Sequence, residues 1–147
     1  MVHINRKLKI FKCALKSGTT PFASLFVTRR CNLRCGFCAI QDHPRAELST
    51  DQWKEAMRRL MGFGVRNITF TGGEPFLRED IGELTRFASL KLECITWLFS
   101  NLARVTEEKL AAVRDLDFLC ASVDHPEGET EKSFTRAIGL LKKSAAL

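Results

Sequence analysis

The chain has 147 residues, 45% hydrophobic and 27% charged, an ordinary globular composition for about one domain. This excludes disordered and low-complexity scaffolds, and no stretch approaches the ~18 consecutive apolar residues of a membrane-crossing helix. The net charge of +6 is uneven: residues 1–41 hold eight basic side chains and no acid, and the remainder 15 basic against 17 acidic. A basic N-terminal segment is not a basic protein, so nucleic acid is not an expected partner. Residues 1–20 lack a secretory apolar core, and six cysteines without an export signal suggest a reducing, cytoplasmic setting with thiols as ligands or core residues.

In chain order, Ile4, Leu8, Phe11 and Leu15 recur at helical spacing with lysines between them, until Gly18 and Pro21 stop the pattern. This basic amphipathic arm, residues 1–20, either lies on a membrane surface or packs across the end of a domain formed by residues 21–147. Ala23–Thr28 reads as a buried strand, followed by a cysteine-rich loop. Ser49 opens a helix with Gln52 at the reciprocal capping position and Trp53, Met57 and Leu60 on its apolar face, ending at Gly62 and Gly64. Val65–Phe70 is a second strand. Ile81, Leu84 and Phe87 mark a second helix, Cys94–Phe99 a third strand, and Thr106 caps a short helix holding Leu110 and Val113. Leu116–Val123 is a fourth strand, and Phe134, Ala137, Ile138 and Leu141 form a last helical stripe. Strands alternating with helices predict βαβ units and a parallel sheet, with functional loops at the carboxyl ends of the strands.

Those loops carry the unusual residues. Cys31, Cys35 and Cys38 place three soft donors within eight residues, which suits zinc or an iron–sulfur cluster. Three ligands would leave one metal position open. The alternatives are a closed zinc site completed by His43, or a redox dithiol of Cys35 and Cys38 that leaves Cys31 unexplained. After the second strand come Thr71-Gly72-Gly73-Glu74-Pro75. Two glycines let the backbone approach a ligand closely and a proline stiffens the exit. A tight turn alone would explain those three residues and leave the acid without a role. Asn101, Ser122 and Asp124, at the ends of strands three and four, are polar and equally suited to turns or to ligand contacts. Arg29, Arg30 and Arg34 surround the cysteines, either tuning a cluster or simply solvated. Cys13, Cys94 and Cys120 read as inert thiols.

Together, C-x3-C-x2-C after strand one, with Phe37 before the last cysteine, and Gly72-Gly73-Glu74-Pro75 after strand two resemble the radical S-adenosylmethionine (radical SAM) superfamily over about residues 23–125. The resemblance implies an α/β fold, a partial (β/α) barrel of about four βα units preceded by the basic helix. It implies that Cys31, Cys35 and Cys38 hold a 4Fe–4S cluster. S-adenosylmethionine would contact Phe37, Gly72, Gly73, Glu74, Pro75, Asn101, Ser122 and Asp124. The implied activity is an enzyme that reductively cleaves S-adenosylmethionine to a 5′-deoxyadenosyl radical for hydrogen abstraction, fed by a donor such as flavodoxin or ferredoxin. The family usually has six βα units, so the C-terminal part of the barrel is missing from this pattern. Either a partner or second copy covers the open edge, or the chain is truncated, or it is a non-catalytic iron–sulfur or zinc module of the same fold.

Overall fold

The computed structural model describes residues 8, 21–40, 46–122, 132 and 135–140. Four strands, β1 (Phe22–Thr28), β2 (Asn67–Gly72), β3 (Ile95–Ser100) and β4 (Phe118–Ala121), form one parallel sheet in the order β1-β2-β3-β4. The connecting helices are α1 (Thr50–Gly62), α2 (Ile81–Arg86, prolonged by a π-helical turn over Phe87–Lys91) and α3 (Glu107–Ala112). Residues 135–140 are helical again after β4. The alternating architecture is the partial barrel expected. Of the N-terminal arm only Leu8 is described, helical and exposed; its remaining residues lie outside the described part.

Helix α1 starts where its capping residues dictate. The Ser49 hydroxyl accepts the Gln52 backbone N–H at 3.3 Å, and the Gln52 side-chain oxygen accepts the Ser49 N–H at 2.8 Å. Ser49→Ala should therefore lower stability by about 1 kcal/mol in urea denaturation. The helix ends with the Val65 N–H returning to the Leu60 carbonyl.

That return bond explains why β2 begins at Asn67 and not at Val65. The strand then continues through Gly72, two residues past the expected end. Similar competition sets the starts of β3 and β4. The Cys94 N–H is used by the Ala88 carbonyl, so β3 starts at Ile95 and runs to Ser100. The Leu116 N–H is used by the Val113 carbonyl and the Asp117 N–H by Thr96 Oγ1, so β4 starts at Phe118 and runs to Ala121. In each case a helix end, joined at β4 by the Thr96 side chain, claims the backbone donor before the sheet can.

The strands alternate in register, with Leu25 beside Phe70 and Phe70 beside Leu98. One face therefore buries Leu25, Val27, Ile68, Phe70 and Leu98 against Met57 of α1, Leu84 of α2 and Leu110 of α3. The other face carries Phe22, Phe26, Phe99 and Phe118, all exposed, with Trp97 stacked on Phe118 at a centroid distance of 3.9 Å. Among the described residues, helices cover one side only. No helix among them is long and apolar enough to cross a membrane.

Candidate functional site

The cysteine loop leaves β1 at Thr28. Cys31 and Cys35 are half-buried and Cys38 is exposed, and none of the described cysteines is in a disulfide. The Cys38 N–H closes on the Cys35 carbonyl at 3.0 Å, so Gly36 and Phe37 form the corner of a turn and the Phe37 ring is 75% exposed. The Leu33 N–H points to the Cys31 sulfur at 3.4 Å. Among the described residues no three His, Cys, Asp or Glu side chains are gathered as a metal cage. His43, Cys13 and Asp124 lie outside the described residues. The donor chemistry nevertheless fits a soft metal or iron–sulfur centre: three thiols on one surface loop can turn toward a common atom. Cys94 is buried with its sulfur 3.2 Å from Met61 Sδ, and burial pushes the Cys120 thiol up.

Both roots of this loop are clasped by charges. The Glu47 carboxylate accepts from Thr28 Oγ1, from the Arg29 N–H at 3.3 Å, and from Arg30 Nε and Nη2, each at 3.3 Å. Burial works against the Glu47 carboxylate, but the bonds from Thr28 and Arg30 prevail and hold its carboxyl below its ordinary value. Arg78, only 7% exposed, donates to the Val27 carbonyl at 3.0 Å and the Leu48 carbonyl at 3.2 Å. It also grips Asp80 through two bonds, at 2.8 and 2.6 Å, a bidentate pairing that suits the planar guanidinium. Desolvation opposes the Asp80 charge, yet Arg78 and Thr50 lower its carboxyl overall.

The Gly-Gly-Glu-Pro loop is fastened to the same roots. The Gly73 N–H reaches the Thr28 carbonyl and the Glu74 N–H the Arg30 carbonyl, both at 2.8 Å. The chains approach so closely that a Cβ on Gly72, whose φ is +134°, would lie 2.2 Å from the Thr28 oxygen, and one on Gly73 2.1 Å from the Arg30 oxygen. The glycines thus admit the backbone of the cysteine loop, a neighbour that the sequence reading did not supply. Pro75 opens a 3-10 turn (Pro75–Leu77), its missing N–H lost where no bond is needed.

Glu74 has a structural role as well. It is 2% exposed, and its Oε1 accepts the Phe76 N–H at 3.0 Å and the Ser100 hydroxyl at 2.8 Å, while Oε2 accepts the Asn101 N–H at 2.8 Å. Burial raises its carboxyl above the ordinary range, against the pull of those three donors and of Lys109. Lys109 donates to the Phe76 carbonyl at 2.8 Å and so ties α3 to this turn. Ser122 is brought alongside, its N–H bonded to the Ser100 carbonyl at 2.8 Å. The fold thus assembles Cys31, Gly72, Gly73, Glu74, Pro75, Asn101 and Ser122 at the carboxyl edge of the sheet. Glu47, Arg78, Asp80 and Lys109 were not legible as site residues, because each acts on a partner distant in sequence.

A parallel sheet of βα units, with a three-cysteine loop after its first strand and a Gly-Gly-Glu-Pro loop after its second, defines a class of cofactor-binding partial barrels. The chain belongs to the radical SAM superfamily, whose family model matches residues 25–143. Homologues in this family bind a 4Fe–4S cluster and S-adenosylmethionine. The chain is 38% identical to a PqqA peptide cyclase of Rhodopseudomonas palustris over 99 residues, covering 65% of this chain and 26% of that protein. It is 33% identical to a GTP 3′,8-cyclase of Chlorobaculum tepidum over 133 residues, 88% of this chain and 40% of that one. It therefore spans well under half the length of these relatives. Among solved structures, Streptococcus suis SuiB bound to S-adenosylmethionine superposes with a TM-score of 0.59 at 21% identity, over 77% of this chain and 27% of that one. BtrN in complex with AdoMet and 2-DOIA gives 0.62 at 17%, over 80% and 52%. At such identities the likeness establishes the fold.

Proposed function

We propose that this chain binds a 4Fe–4S cluster through Cys31, Cys35 and Cys38 and S-adenosylmethionine beside it, and serves a radical reaction on a substrate. The observation that carries this reading is the pair of backbone bonds, Gly73 to Thr28 and Glu74 to Arg30, which lock the cysteine loop to the Gly-Gly-Glu-Pro loop. Bound there, the cluster and S-adenosylmethionine would supply one-electron reductive cleavage of the sulfonium ligand and hydrogen-atom abstraction from a substrate.

The chain's own residues hold and orient. Cys31, Cys35 and Cys38 would hold the cluster as thiolates, three protein ligands that leave one position open to a non-protein group. The rim formed by Gly72, Gly73, Glu74, Pro75, Asn101 and Ser122 receives the methionyl end, with Asp124, three positions beyond β4 in the sequence, as a further contact. Phe37, projecting from its turn, offers an apolar surface to the adenine. An electron donor of the flavodoxin or ferredoxin type approaches the exposed cysteine loop, in the cytoplasm. Further protein against the β4 edge and the exposed aromatic face would complete the cleft.

Electron paramagnetic resonance of the anaerobically reconstituted, reduced chain tests the reading. A cluster signal that shifts when S-adenosylmethionine is added is the expected result, and a signal indifferent to the ligand would overturn the S-adenosylmethionine site. One zinc per chain without acid-labile sulfide would overturn the cluster as well. Replacing any one of Cys31, Cys35 or Cys38 by Ala should abolish the reconstituted chromophore, whereas Cys94→Ala should retain it, as read by iron content and visible absorbance.

A further inference from the structure

Asn101 is held so that its side-chain amide has one orientation. Glu74 Oε2 takes its backbone N–H at 2.8 Å, and its own Oδ1 accepts the Ala103 N–H at 2.9 Å. With the amide oxygen so engaged, Nδ2 faces the other way, 3.2 Å from Asn32 Oδ1 and 3.9 Å from the Cys31 sulfur. Two amide hydrogens meet two acceptors. The turn that aims them is strained: the next residue, Leu102, has a φ of +56°, in the left-handed region that a leucine seldom occupies. It is kept there by burial and by a bond from its N–H to Ser100 Oγ at 2.9 Å. Strain of this kind, maintained by surrounding bonds, is a mark of a positioned functional group.

We propose that Asn101 is a positioning residue that tunes the cluster, its amide donating an N–H···S bond to the Cys31 sulfur and raising the reduction potential. The inference rests on the cluster reading given above. Reduction adds one electron, and the extra charge spreads onto the coordinating sulfurs. An N–H dipole aimed at one of them stabilises the reduced cluster more than the oxidised one. The Leu33 N–H, on the same sulfur at 3.4 Å, acts in the same direction. Glu74 contributes indirectly, since its carboxylate anchors the Asn101 backbone.

The test is a redox titration of the reconstituted 147-residue chain, followed by electron paramagnetic resonance without S-adenosylmethionine, for wild type, Asn101→Ala and Asn101→Asp. Asn101→Asp keeps an oxygen for the Ala103 N–H, so it preserves the turn while replacing the donor by a negative charge. Both variants should hold the wild-type complement of iron and sulfide, with a midpoint potential shifted negative in Asn101→Ala and further negative in Asn101→Asp. Potentials equal to wild type would overturn the proposal. Loss of the cluster from Asn101→Asp, with circular dichroism unchanged, would also overturn it, because Asn101 would then serve assembly alone. A wild-type chain that holds no iron would refute the cluster reading itself, whereas a wild-type cluster with unshifted variants would refute only the tuning role.

Discussion

Glu74→Ala is expected to lower folding stability by about 3–5 kcal/mol, measured by urea denaturation of the chain without iron or ligand. The substitution strands the Phe76 N–H, the Asn101 N–H and the Ser100 hydroxyl in a site where Glu74 is 2% exposed. Each orphaned buried donor costs about 1–3 kcal/mol. The total would be a large fraction of the 5–15 kcal/mol that typically separates folded from unfolded states. Working without ligand isolates this structural role from any contact to S-adenosylmethionine. The deficit should also depend on pH. Burial, outweighing the hydrogen bonds, raises the folded carboxyl above its unfolded value. Glu74 therefore contributes stability that is fully present below the unfolded value and lost as pH rises through the folded one. The gap between wild type and Glu74→Ala should accordingly widen on going from neutral to acid pH. A variant as stable as wild type would refute the role of Glu74 as a tie between β2 and β3.

Gly73→Ala should be about as severe, costing about 3 kcal/mol or more and sharply reducing iron retained after reconstitution. The added methyl would lie 2.1 Å from the Arg30 oxygen and 2.7 Å from its carbonyl carbon. A Cβ has no rotamer with which to escape, and the obstruction is backbone. Relief therefore requires the loops to part, which breaks the bonds from Gly73 to Thr28 and from Glu74 to Arg30. Cys31 follows Arg30 directly, so the displacement passes to the first ligand. Gly36→Ala is the control: nothing lies within 4 Å of its added methyl, and its effect should stay within about 0.5 kcal/mol. Equal iron content in the Gly73 and Gly36 variants would refute the coupling of the two loops.

The elements were legible wherever the information is local. Ser49 and Gln52 mark the start of α1 and Thr106 that of α3, because a cap is made by residues three apart. Strand limits were less legible: whether Val65, Cys94 and Leu116 join the ladder depends on a helix end that claims their N–H first. The site divides in the same way. Cysteine spacing is visible in the chain itself, but the meaning of the two glycines is not, since the Thr28–Arg30 backbone they accommodate lies more than forty positions away.

By itself, the sequence determined the alternation of strands and helices and the residues capable of soft-metal chemistry. It also placed the functional loops at the carboxyl ends of the strands. These follow from periodicity, capping and donor type, which are properties of neighbouring residues. Only the tertiary structure decided that Glu74 is a buried tie, that Arg78 and Glu47 clasp the roots of the cysteine loop, and that the Asn101 amide faces Cys31. Each of those is a hydrogen bond between strands or loops remote in the chain, and its geometry exists only once the parallel sheet has set β1, β2 and β3 in register.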